Sequence, residues 1–281
     1  MGKIVLTAYI SHGAPTSLVE RTRIHNVYEK LGAALTELRV DTVVISSPHY
    51  LSQVNFEVES REDIPCIQDY YGFPDALYRF SYEAKNNGNA ASEITRQSKE
   101  AGLNISGSQS WGLDHGAWLP LYFMFPKKDM KVVPVSIITG TAGEHFRFGQ
   151  AVRRAIGRVE GTFAVIGTGS PVHRLDLIRY GYHGEDRFEP GEKFDEKLIE
   201  TIAAGEPDRI LNIQRDFPSL FHAARPEGNL SPLFTALGAS DPAEFVGKTI
   251  LHEFIYYGVS LVATILGAPR SARETFLSLG N

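Results

Sequence analysis

Cysteine is nearly absent from this sequence, and long hydrophobic runs are missing. Cys66 is the only cysteine among 281 residues, which rules out an intrachain disulfide and a thiolate metal cluster. The longest apolar run, FIYYGVSLVATILGA, is shorter than the roughly 20 residues that a helix needs to cross a bilayer. The apolar part of MGKIVLTAYI is too short for a signal peptide. We therefore expect a soluble, cytoplasmic protein that does not enter a membrane.

Clusters of basic residues are missing as well. The net charge is -5, and no group of lysines and arginines alternates with aromatic residues, so we do not expect a nucleic-acid groove. The composition is that of an ordinary globular protein, with 43% hydrophobic and 22% charged residues. The length suits one large α/β domain or two small ones. Because no repeat, low-complexity segment or Gly/Ser/Pro linker divides the chain, we expect one domain over residues 1–281.

Short apolar runs alternate with helical patterns along the chain. KIVLTAYI, DTVVISSP, KVVPVSII and TFAVIGTGS are typical of buried strands, and VNFEVESRED predicts a further strand. SLVERTRIHNVYEKLGAALTELR and EHFRFGQAVRRAIGRV have apolar residues at helical spacing and connect such strands. Strand–helix–strand units favour a parallel sheet. The sequence therefore predicts an α/β fold, with a mostly parallel or mixed central sheet flanked by helices and an active site at the strand carboxyl ends.

The remaining segments are predicted to be helical, except for the last one. NAASEITRQSKEAG predicts a helix that ends at Gly102. EKFDEKLIETIAAG and PDRILNIQRDF carry many charges and are expected on the outside, whereas LSPLFTALGA is expected to pack into the body. EFIYYGVSLVATIL predicts a final strand.

Four of the nine histidines share one kind of position. His12, His49 and His173 follow apolar strands, and His115 lies in the glycine-bearing loop DHGAWLPL. Strand carboxyl ends of an open α/β sheet line one edge, where ligands bind, so we expect these histidines to meet in one cleft. The small residues beside them would let a metal or a substrate approach the backbone closely.

The other histidines are interpreted as structural. His25 and His145 lie on helical stretches and are expected to be surface or hydrogen-bonded residues, and His183 and His252 lack the strand-end position. A lone histidine in a loop is usually solvated or structural. It is therefore the recurrence of one position that points to function.

Imidazole supplies two kinds of chemistry. Its neutral nitrogen binds transition metals, and its ring transfers protons near neutral pH. Two histidines and one carboxylate on one face of an iron ion leave three coordination positions open, which a bidentate substrate and dioxygen would fill. A cleft with four histidines would then have two left to act as base and acid.

The histidine motifs resemble those of a known enzyme family. SHGAP, SPHY, DHGAWLPL and GTGSPVHRLD are similar, in order and spacing, to motifs of the class III (LigB-like) extradiol ring-cleaving dioxygenases. That family includes enzymes that act on protocatechuate, gallate, 2-aminophenol and DOPA. The resemblance runs from residue 10 to about residue 240 and covers most of the chain. Each motif alone is weak, but the ordered set is fairly specific.

The resemblance implies a role for each of the four histidines. His12 and His49 would be ligands of a non-haem Fe(II), with zinc as an alternative occupant. His115 and His173 would be the pair that handles protons, with His173 as the acceptor by family analogy and His115 as a donor. Which of the two is base and which is acid stays open.

The third metal ligand implied by the resemblance is a carboxylate, or a histidine in some members, near the start of a late helix and ahead of a GA. The corresponding region reads FHAARPEGNLSPLFTALGA. Counting forward from His222 leads to Glu227, whereas counting back from LGA leads to Asn229. We prefer Glu227 because an anionic oxygen balances the charge of iron. The alternative for Glu227 is an exposed carboxylate favoured by a helix dipole.

The implied reaction inserts both atoms of O2 into a catechol-type or 2-aminophenol-type ring and opens the ring to a semialdehyde acid. The implied cofactor is Fe(II), and the implied partners are O2 and a small aromatic diol or aminophenol. We also expect a homo-oligomer or a pairing with a related subunit, and no nucleic acid or membrane as partner.

Several neighbours of the motif histidines have a structural interpretation beside a functional one. Tyr50 and Trp118 would line an aromatic substrate pocket, or pack in the core. Asp114 would orient a histidine ring, or hold a turn by bonding to its own backbone. Arg174 would meet a substrate carboxylate, although a surface ion pair is its more ordinary role.

Three other functions fit parts of the pattern. A metal-free, non-catalytic subunit of a two-subunit dioxygenase would keep the fold without the third ligand. A zinc hydrolase would also use histidines at strand ends, but the sequence has no HExxH pair, and four histidines exceed the usual zinc set. A metal-binding regulatory or scaffold protein could share the fold without the chemistry.

Overall fold

The strands of this protein form one mixed sheet. The computed structural model describes residues 1–179 and 186–280. Within these residues the sheet has ten strands: β1 (Lys3–Ile10), β2 (Thr42–Ser52), β3 (Phe56–Glu59), β4 (Asp63–Ile64), β5 (Ala84–Asn86), β6 (Ile105–Ser108), β7 (Lys131–Ile138), β8 (Thr162–Thr168), β9 (Phe245–Ile255) and β10 (Val259–Gly267).

Four parallel strands form the centre of the sheet, in the order β7-β2-β8-β1. On one side, β10 and β9 continue the sheet in antiparallel pairing. On the other side, β5 and β4 follow β7, and β3 pairs with both β6 and β7. The predicted α/β fold with a mostly parallel or mixed sheet is therefore confirmed.

Helices cover both faces of this sheet. They are α1 (Arg23–Glu37), α2 (Gly88–Glu100), α3 (His115–Met124), α4 (Ala142–Ile156), α5 (Glu189–Ala203), α6 (Pro207–Leu211), α7 (Ile213–Asp216), α8 (Pro218–Ala224), α9 (Ser231–Ala239) and α10 (Arg270–Leu277). Among the described residues, no helix combines the length and apolar character needed to cross a membrane.

The side chains of the central strands alternate between two core layers, as pleated strands require. Val43 and Ile45 of β2 belong to the layer under α1 and α3, and Val44 belongs to the layer under α2 and α4. The buried helix α9 lies against α4 and β8, as expected for LSPLFTALGA. A Cβ on Gly167 would lie 2.1 Å from the carbonyl oxygen of Pro232, so only glycine lets α9 approach β8 this closely.

The segment EFIYYGVSLVATIL forms a hairpin, and the expectation of one strand was wrong. β9 ends at Ile255 and β10 starts at Val259, opposite Ile255 in the antiparallel pairing. Tyr256 and Tyr257 make the turn with φ of 53° and 74°. Tight hairpin turns with positive φ usually carry glycine or asparagine. Because tyrosines occupy these positions, the sequence gives no signal of a turn here.

VNFEVESRED contains β3 and ends on the first residue of β4, where one continuous strand was expected. Glu59 breaks the run, because its buried carboxylate accepts hydrogen bonds from the backbone N–H groups of Ser60 and Arg61. The guanidinium of Arg61 also donates to this carboxylate, at 2.6 Å. These local bonds turn the chain away from the extended path.

Candidate active site

Three strands deliver one histidine each to the same edge of the sheet. His12 lies just beyond β1, His49 is in the last part of β2, and His173 lies a few residues beyond β8. The ring centroids of His12 and His49 are 5.0 Å apart. The side chain of His12 is almost fully buried, whereas His49 and His173 are partly accessible.

His115 joins these histidines from a helix, and its expected place in a loop was wrong. It is the first residue of α3, whose N-cap is Asp114. Its ring centroid lies 4.3 Å from that of His49 and 5.3 Å from that of His12. The start of α3 therefore places the fourth imidazole beside the strand-end histidines.

A buried carboxylate lies where the histidines converge. Oε1 of Glu227 is 3.0 Å from Nε2 of His49, 3.6 Å from Nε2 of His12 and 3.5 Å from Nε2 of His173. The other oxygen, Oε2, accepts a hydrogen bond from the backbone N–H of Ser170. Asn229, the alternative from the sequence, is exposed. The structure therefore places Glu227, and not Asn229, beside the histidines.

A left-handed turn holds Glu227 in this position. The three residues that follow it, Gly228, Asn229 and Leu230, have φ of 55°, 52° and 63°. A Cβ on Gly228 would lie 2.9 Å from Cβ of Pro48, the residue before His49. The turn after Glu227 therefore packs directly on the strand that carries His49.

Asp69 connects two of the histidines, although no sequence pattern pointed to it. Oδ1 of Asp69 accepts a hydrogen bond from the backbone N–H of His115 and lies 2.9 Å from Nδ1 of the same residue. Its other oxygen lies 3.0 Å from Nδ1 of His49. Since Nδ1 of both rings faces one carboxylate, Nε2 is the nitrogen that each ring has left for the cavity.

Asp114 has the structural role that was considered for it. Its buried carboxylate caps α3 by accepting from the backbone N–H of Ala117, and it also accepts from Oγ of Ser47 and Nε1 of Trp111. It lies 3.7 Å from Nδ1 of His49 and is not hydrogen-bonded to the His115 ring. The residue that orients His115 is Asp69.

The site holds charges of both signs. Burial lowers the pKa of His12 to about 3, so this ring is neutral near pH 7. Burial also lowers the pKa of His49, but its contacts with Asp69 and Glu227 outweigh that effect and raise it to about 11. Burial raises the pKa of Glu227, but the surrounding imidazoles outweigh it and hold the pKa well below its usual range. Glu227 is therefore ionised.

A cavity of about 450 Å³ opens over this cluster. Its lining includes all four motif histidines, Asp69 and Glu227, together with residues from the segments 13–16, 70–73, 175–178 and 255–259. Apart from this polar cluster, the lining of the cleft is largely apolar. Such a cleft is the usual form of a small-molecule site.

The structure does not bring Tyr50 or Trp118 into the lining of this cavity. Tyr50 is buried, stacks on Trp111 and donates a hydrogen bond to Glu57. Trp118 is fully buried and donates from Nε1 to the carbonyl oxygen of Ile67. The packing role considered for both aromatic residues describes these contacts better than substrate binding does.

Arg174 forms an ion pair, the more ordinary of the two roles considered. Its guanidinium lies 2.8 Å from the carboxylate of Asp176, donates to the carbonyl oxygen of Ala223 and lies over the ring of Phe188. The guanidinium therefore interacts with groups outside the cavity lining.

The histidines interpreted as structural are bonded to the protein. His25 lies 2.7 Å from the carbonyl oxygen of Ser17, and His145 accepts from the backbone N–H of Ile138. His252 pairs with the buried carboxylate of Asp195. His183 lies outside the described residues.

The donor set fits a divalent metal ion. Two imidazoles and one carboxylate are the facial set that suits non-haem Fe(II). Ligands about 2.1 Å from a metal and at right angles to each other are about 3 Å apart, close to the separations of Glu227 Oε1 from the His49 and His12 nitrogens. His12, His49 and His115 also have nitrogens within 4.8 Å of one another. The cluster can therefore hold a metal ion with histidine and carboxylate ligands.

The chain is similar over most of its length to several known proteins. The family model described as the catalytic LigB subunit of aromatic ring-opening dioxygenase matches residues 6–267. The 4,5-DOPA dioxygenase extradiol of Escherichia coli (strain K12) is 30% identical over 92% of this chain and 93% of that protein. The 4,5-DOPA dioxygenase extradiol of Mirabilis jalapa is 26% identical over 83% of this chain and 86% of that protein.

More distant proteins extend the comparison. The 3,4-dihydroxyphenylacetate 2,3-dioxygenase of Escherichia coli is 21% identical over 88% of this chain and 94% of that protein. The crystal structure of an uncharacterized protein, JW3007, from Escherichia coli K12 has a TM-score of 0.75 at 21% identity and covers 94% of this chain and 100% of that one. This structural likeness shows that the two chains share a fold.

Proposed function

The chain belongs to the family of the catalytic LigB subunit of aromatic ring-opening dioxygenases and is an extradiol ring-cleavage dioxygenase, and on this premise we propose that it is an Fe(II) enzyme with His12, His49 and Glu227 as its metal ligands. The proposed reaction inserts both atoms of O2 into a catechol-type or 2-aminophenol-type ring and yields a semialdehyde acid. The observation that supports this proposal most is the convergence of histidine Nε2 atoms on one oxygen of Glu227.

The proposed ligands are suited to holding a divalent cation. His12 is neutral and Glu227 is ionised, as ligands must be. His49 carries its proton between two carboxylates, and a metal ion would replace that proton as the positive charge. Bound Fe(II) would supply Lewis-acid binding of the adjacent ring hydroxyls and bring O2 next to the ring.

His173 is the proposed acceptor of the substrate's hydroxyl proton. Its Nε2 lies 3.5 Å from Glu227 Oε1, so a ring held at the proposed ligands would be within its reach. Its backbone N–H donates to the carbonyl oxygen of Ala224, which ties it to the end of α8. Removing this proton makes the ring richer in electrons and strengthens its binding to a metal.

His115 is the proposed donor of a proton later in the reaction. The carboxylate of Asp69 lies 2.9 Å from Nδ1 of this imidazole, which fixes the orientation of the ring. The ring of Tyr70 lies edge-on to it, with 5.4 Å between centroids, and limits its rotation. Nε2 of His115 is then the atom that exchanges a proton with the substrate.

Oxygen uptake tests the proposed function. Protein loaded anaerobically with Fe(II) and desalted should retain about one iron per chain. With a panel of catechols, gallate and 2-aminophenol it should consume one O2 per ring opened and form yellow products. Retained iron without oxygen uptake on any ring would contradict the proposal, as would oxygen-independent hydrolysis with zinc.

The complete donor set argues against the metal-free subunit considered from the sequence.

A further inference from the structure

The cavity wall outside the cluster of four histidines, Asp69 and Glu227 is mainly apolar. Leu175, Ile178, Ile255 and Val259 contribute aliphatic side chains, and Phe73 and Tyr71 contribute aromatic rings. Leu175 and Tyr71 are among the few large apolar side chains of the described residues that are well exposed, at 57% and 88%. An apolar rim of this kind marks a surface that binds an apolar group.

Two tyrosine hydroxyls of this wall, those of Tyr70 and Tyr256, are hydrogen-bonded within the protein. The hydroxyl of Tyr70 donates to the carbonyl oxygen of Leu77. The hydroxyl of Tyr256 donates to the carboxylate of Glu20 and lies 3.2 Å from Oγ1 of Thr16. These two residues therefore present mainly their rings to a substrate.

No lysine or arginine lines the cavity among the residues that the structure describes. The two arginines that flank the rim segment are held elsewhere. Arg174 pairs with Asp176, and the guanidinium of Arg179 lies 3.9 Å from the ring centroid of Tyr257. Residues 180–185, which read YGYHGE, contain neither lysine nor arginine in their sequence.

The carboxylates of the cavity are paired within the histidine cluster. Asp69 and Glu227 each lie 3.0 Å from a nitrogen of the His49 ring, so the charges of the cluster balance one another. A substrate carboxylate placed against the apolar wall would lose water without gaining a lysine or arginine partner.

We propose that this enzyme acts on uncharged catechol-type or aminophenol-type rings whose substituent is apolar and binds against Leu175, Ile178 and Tyr71. This inference rests on the proposed function, because it requires that the substrate ring binds at the proposed metal ligands. It separates this chain from relatives whose names denote carboxylate-bearing catechols, DOPA and dihydroxyphenylacetate.

A matched pair of substrates tests this inference. The methyl ester of 3,4-dihydroxyphenylacetate and the free acid share ring and linker and differ in charge. The ester should have a kcat/KM at least about tenfold higher. Along 4-methyl-, 4-ethyl- and 4-propylcatechol, kcat/KM should rise about fourfold per methylene buried. Equal cleavage of ester and acid, or a preference for the acid, would overturn the inference.

Binding without turnover separates this inference from the proposed function. Under anaerobic conditions, calorimetry of the Fe(II) protein should give a lower Kd for the ester than for the acid. If catechol itself is cleaved but the acid binds better, the substrate class is wrong and the proposed function stands. If no ring is cleaved although iron is retained, the proposed function fails first.

A charge placed on the rim provides a second test. L175K should shift the ratio of kcat/KM for acid and ester about tenfold toward the acid, because it supplies the missing cation. V54K is the matched control, since Val54 is also well exposed but lies outside the cavity lining, and its ratio should equal that of the unmodified enzyme. An unchanged ratio in L175K would show that the substituent does not bind at this rim.

Discussion

At the scale of single residues, Glu227 is the group on which the proposed metal site depends. Its carboxylate oxygen Oε1 lies within 3.6 Å of Nε2 atoms from three histidines. An amide in its place would keep the size of the side chain and remove the negative charge. The remaining rings could then bind a metal ion only weakly.

E227Q should therefore bind Fe(II) at least about 100-fold more weakly than the unmodified protein, since losing a ligand costs more than losing a residue that supports one. Iron retained per chain after anaerobic loading and desalting measures this effect. N229Q changes an exposed neighbour and should retain iron normally. Normal retention in E227Q with loss in N229Q would reverse the assignment of the third ligand.

Asp69 should support metal binding through His49 and proton transfer through His115. D69N keeps the shape but weakens both contacts, so Fe(II) affinity should fall about 10-fold, and kcat should fall because the His115 ring loses the carboxylate that orients it. D75N alters an exposed acid in the same stretch of chain and should change neither quantity. A D69N enzyme with unchanged Fe(II) affinity and unchanged kcat would contradict this role.

Cys66 should be poorly reactive in the folded protein. Burial raises the pKa of its thiol from 9.0 to about 11, so at pH 8 the thiolate fraction is about 100-fold smaller than in the unfolded chain. Alkylation by iodoacetamide at pH 8 should slow by about this factor compared with protein in urea. Between pH 9 and 11 the ionising thiol of the unfolded chain should lower the free energy of unfolding. Equal alkylation rates in both states would contradict the shift.

The sequence pattern identifies some of these residues and hides others for physical reasons. His12 and His49 could be found because a polar ring at the end of an apolar strand breaks a clear pattern. Asp69 could not, because it lies in an irregular segment 46 residues before His115. The helical start at His115 was missed because Gly116 and Pro120 are uncommon inside helices, although Asp114 is a standard N-cap residue.

At the scale of elements, the left-handed turn at residues 228–230 links α9 to the strand that carries His49. Buried Leu230 keeps φ of 63°, a conformation that costs about 1 kcal/mol or more. Its packing in the core under α9 holds it there. The position of Glu227 therefore depends on the packing of the whole helix.

G228A should lower the free energy of unfolding by more than the positive φ at this position would on its own. Its Cβ would lie 2.9 Å from Cβ of Pro48, so about 1–3 kcal/mol of crowding should add to the cost of positive φ. G102A, with φ of 74° and nothing within 4 Å of the new Cβ, should cost only about 1–2 kcal/mol. Urea unfolding measures both values. An equal decrease in the free energy of unfolding in both variants would show that the contact with Pro48 adds no crowding.

The elements were predicted best where periodicity was strong. The central strands and the helices α1, α4 and α9 follow their apolar patterns, because burial of those residues decides the local structure. The hairpin between β9 and β10 was read as one strand, because Tyr256 and Tyr257 take a turn conformation without the usual turn residues. Here tertiary contacts override the local preference.

At the scale of the whole molecule, the proposed ligands come from distant parts of the chain. His12 follows β1, His49 belongs to β2, and Glu227 precedes α9. The sheet topology, and not the spacing in sequence, brings them together. Sequence reasoning reached the shared edge of the sheet but could not give the distances.

A bound metal should therefore stabilise the entire fold. At a free Fe(II) concentration of 100 times Kd, the free energy of unfolding should rise by about 2.7 kcal/mol. For a chain of this length the corresponding increase in Tm is about 5 °C. Anaerobic thermal unfolding should show this increase in the unmodified protein and a much smaller one in E227Q. The same increase in both proteins would mean that the metal binds elsewhere.

The most direct test of the account is the position of the metal. Crystals grown anaerobically with Fe(II) and measured at the iron absorption edge should give one strong anomalous peak per chain. We predict that this peak lies between Nε2 of His12, Nε2 of His49 and Oε1 of Glu227, with His115 and His173 facing its open side. A peak bound instead by Asp69 and Asp114, or one that lies outside the cluster, would contradict the account.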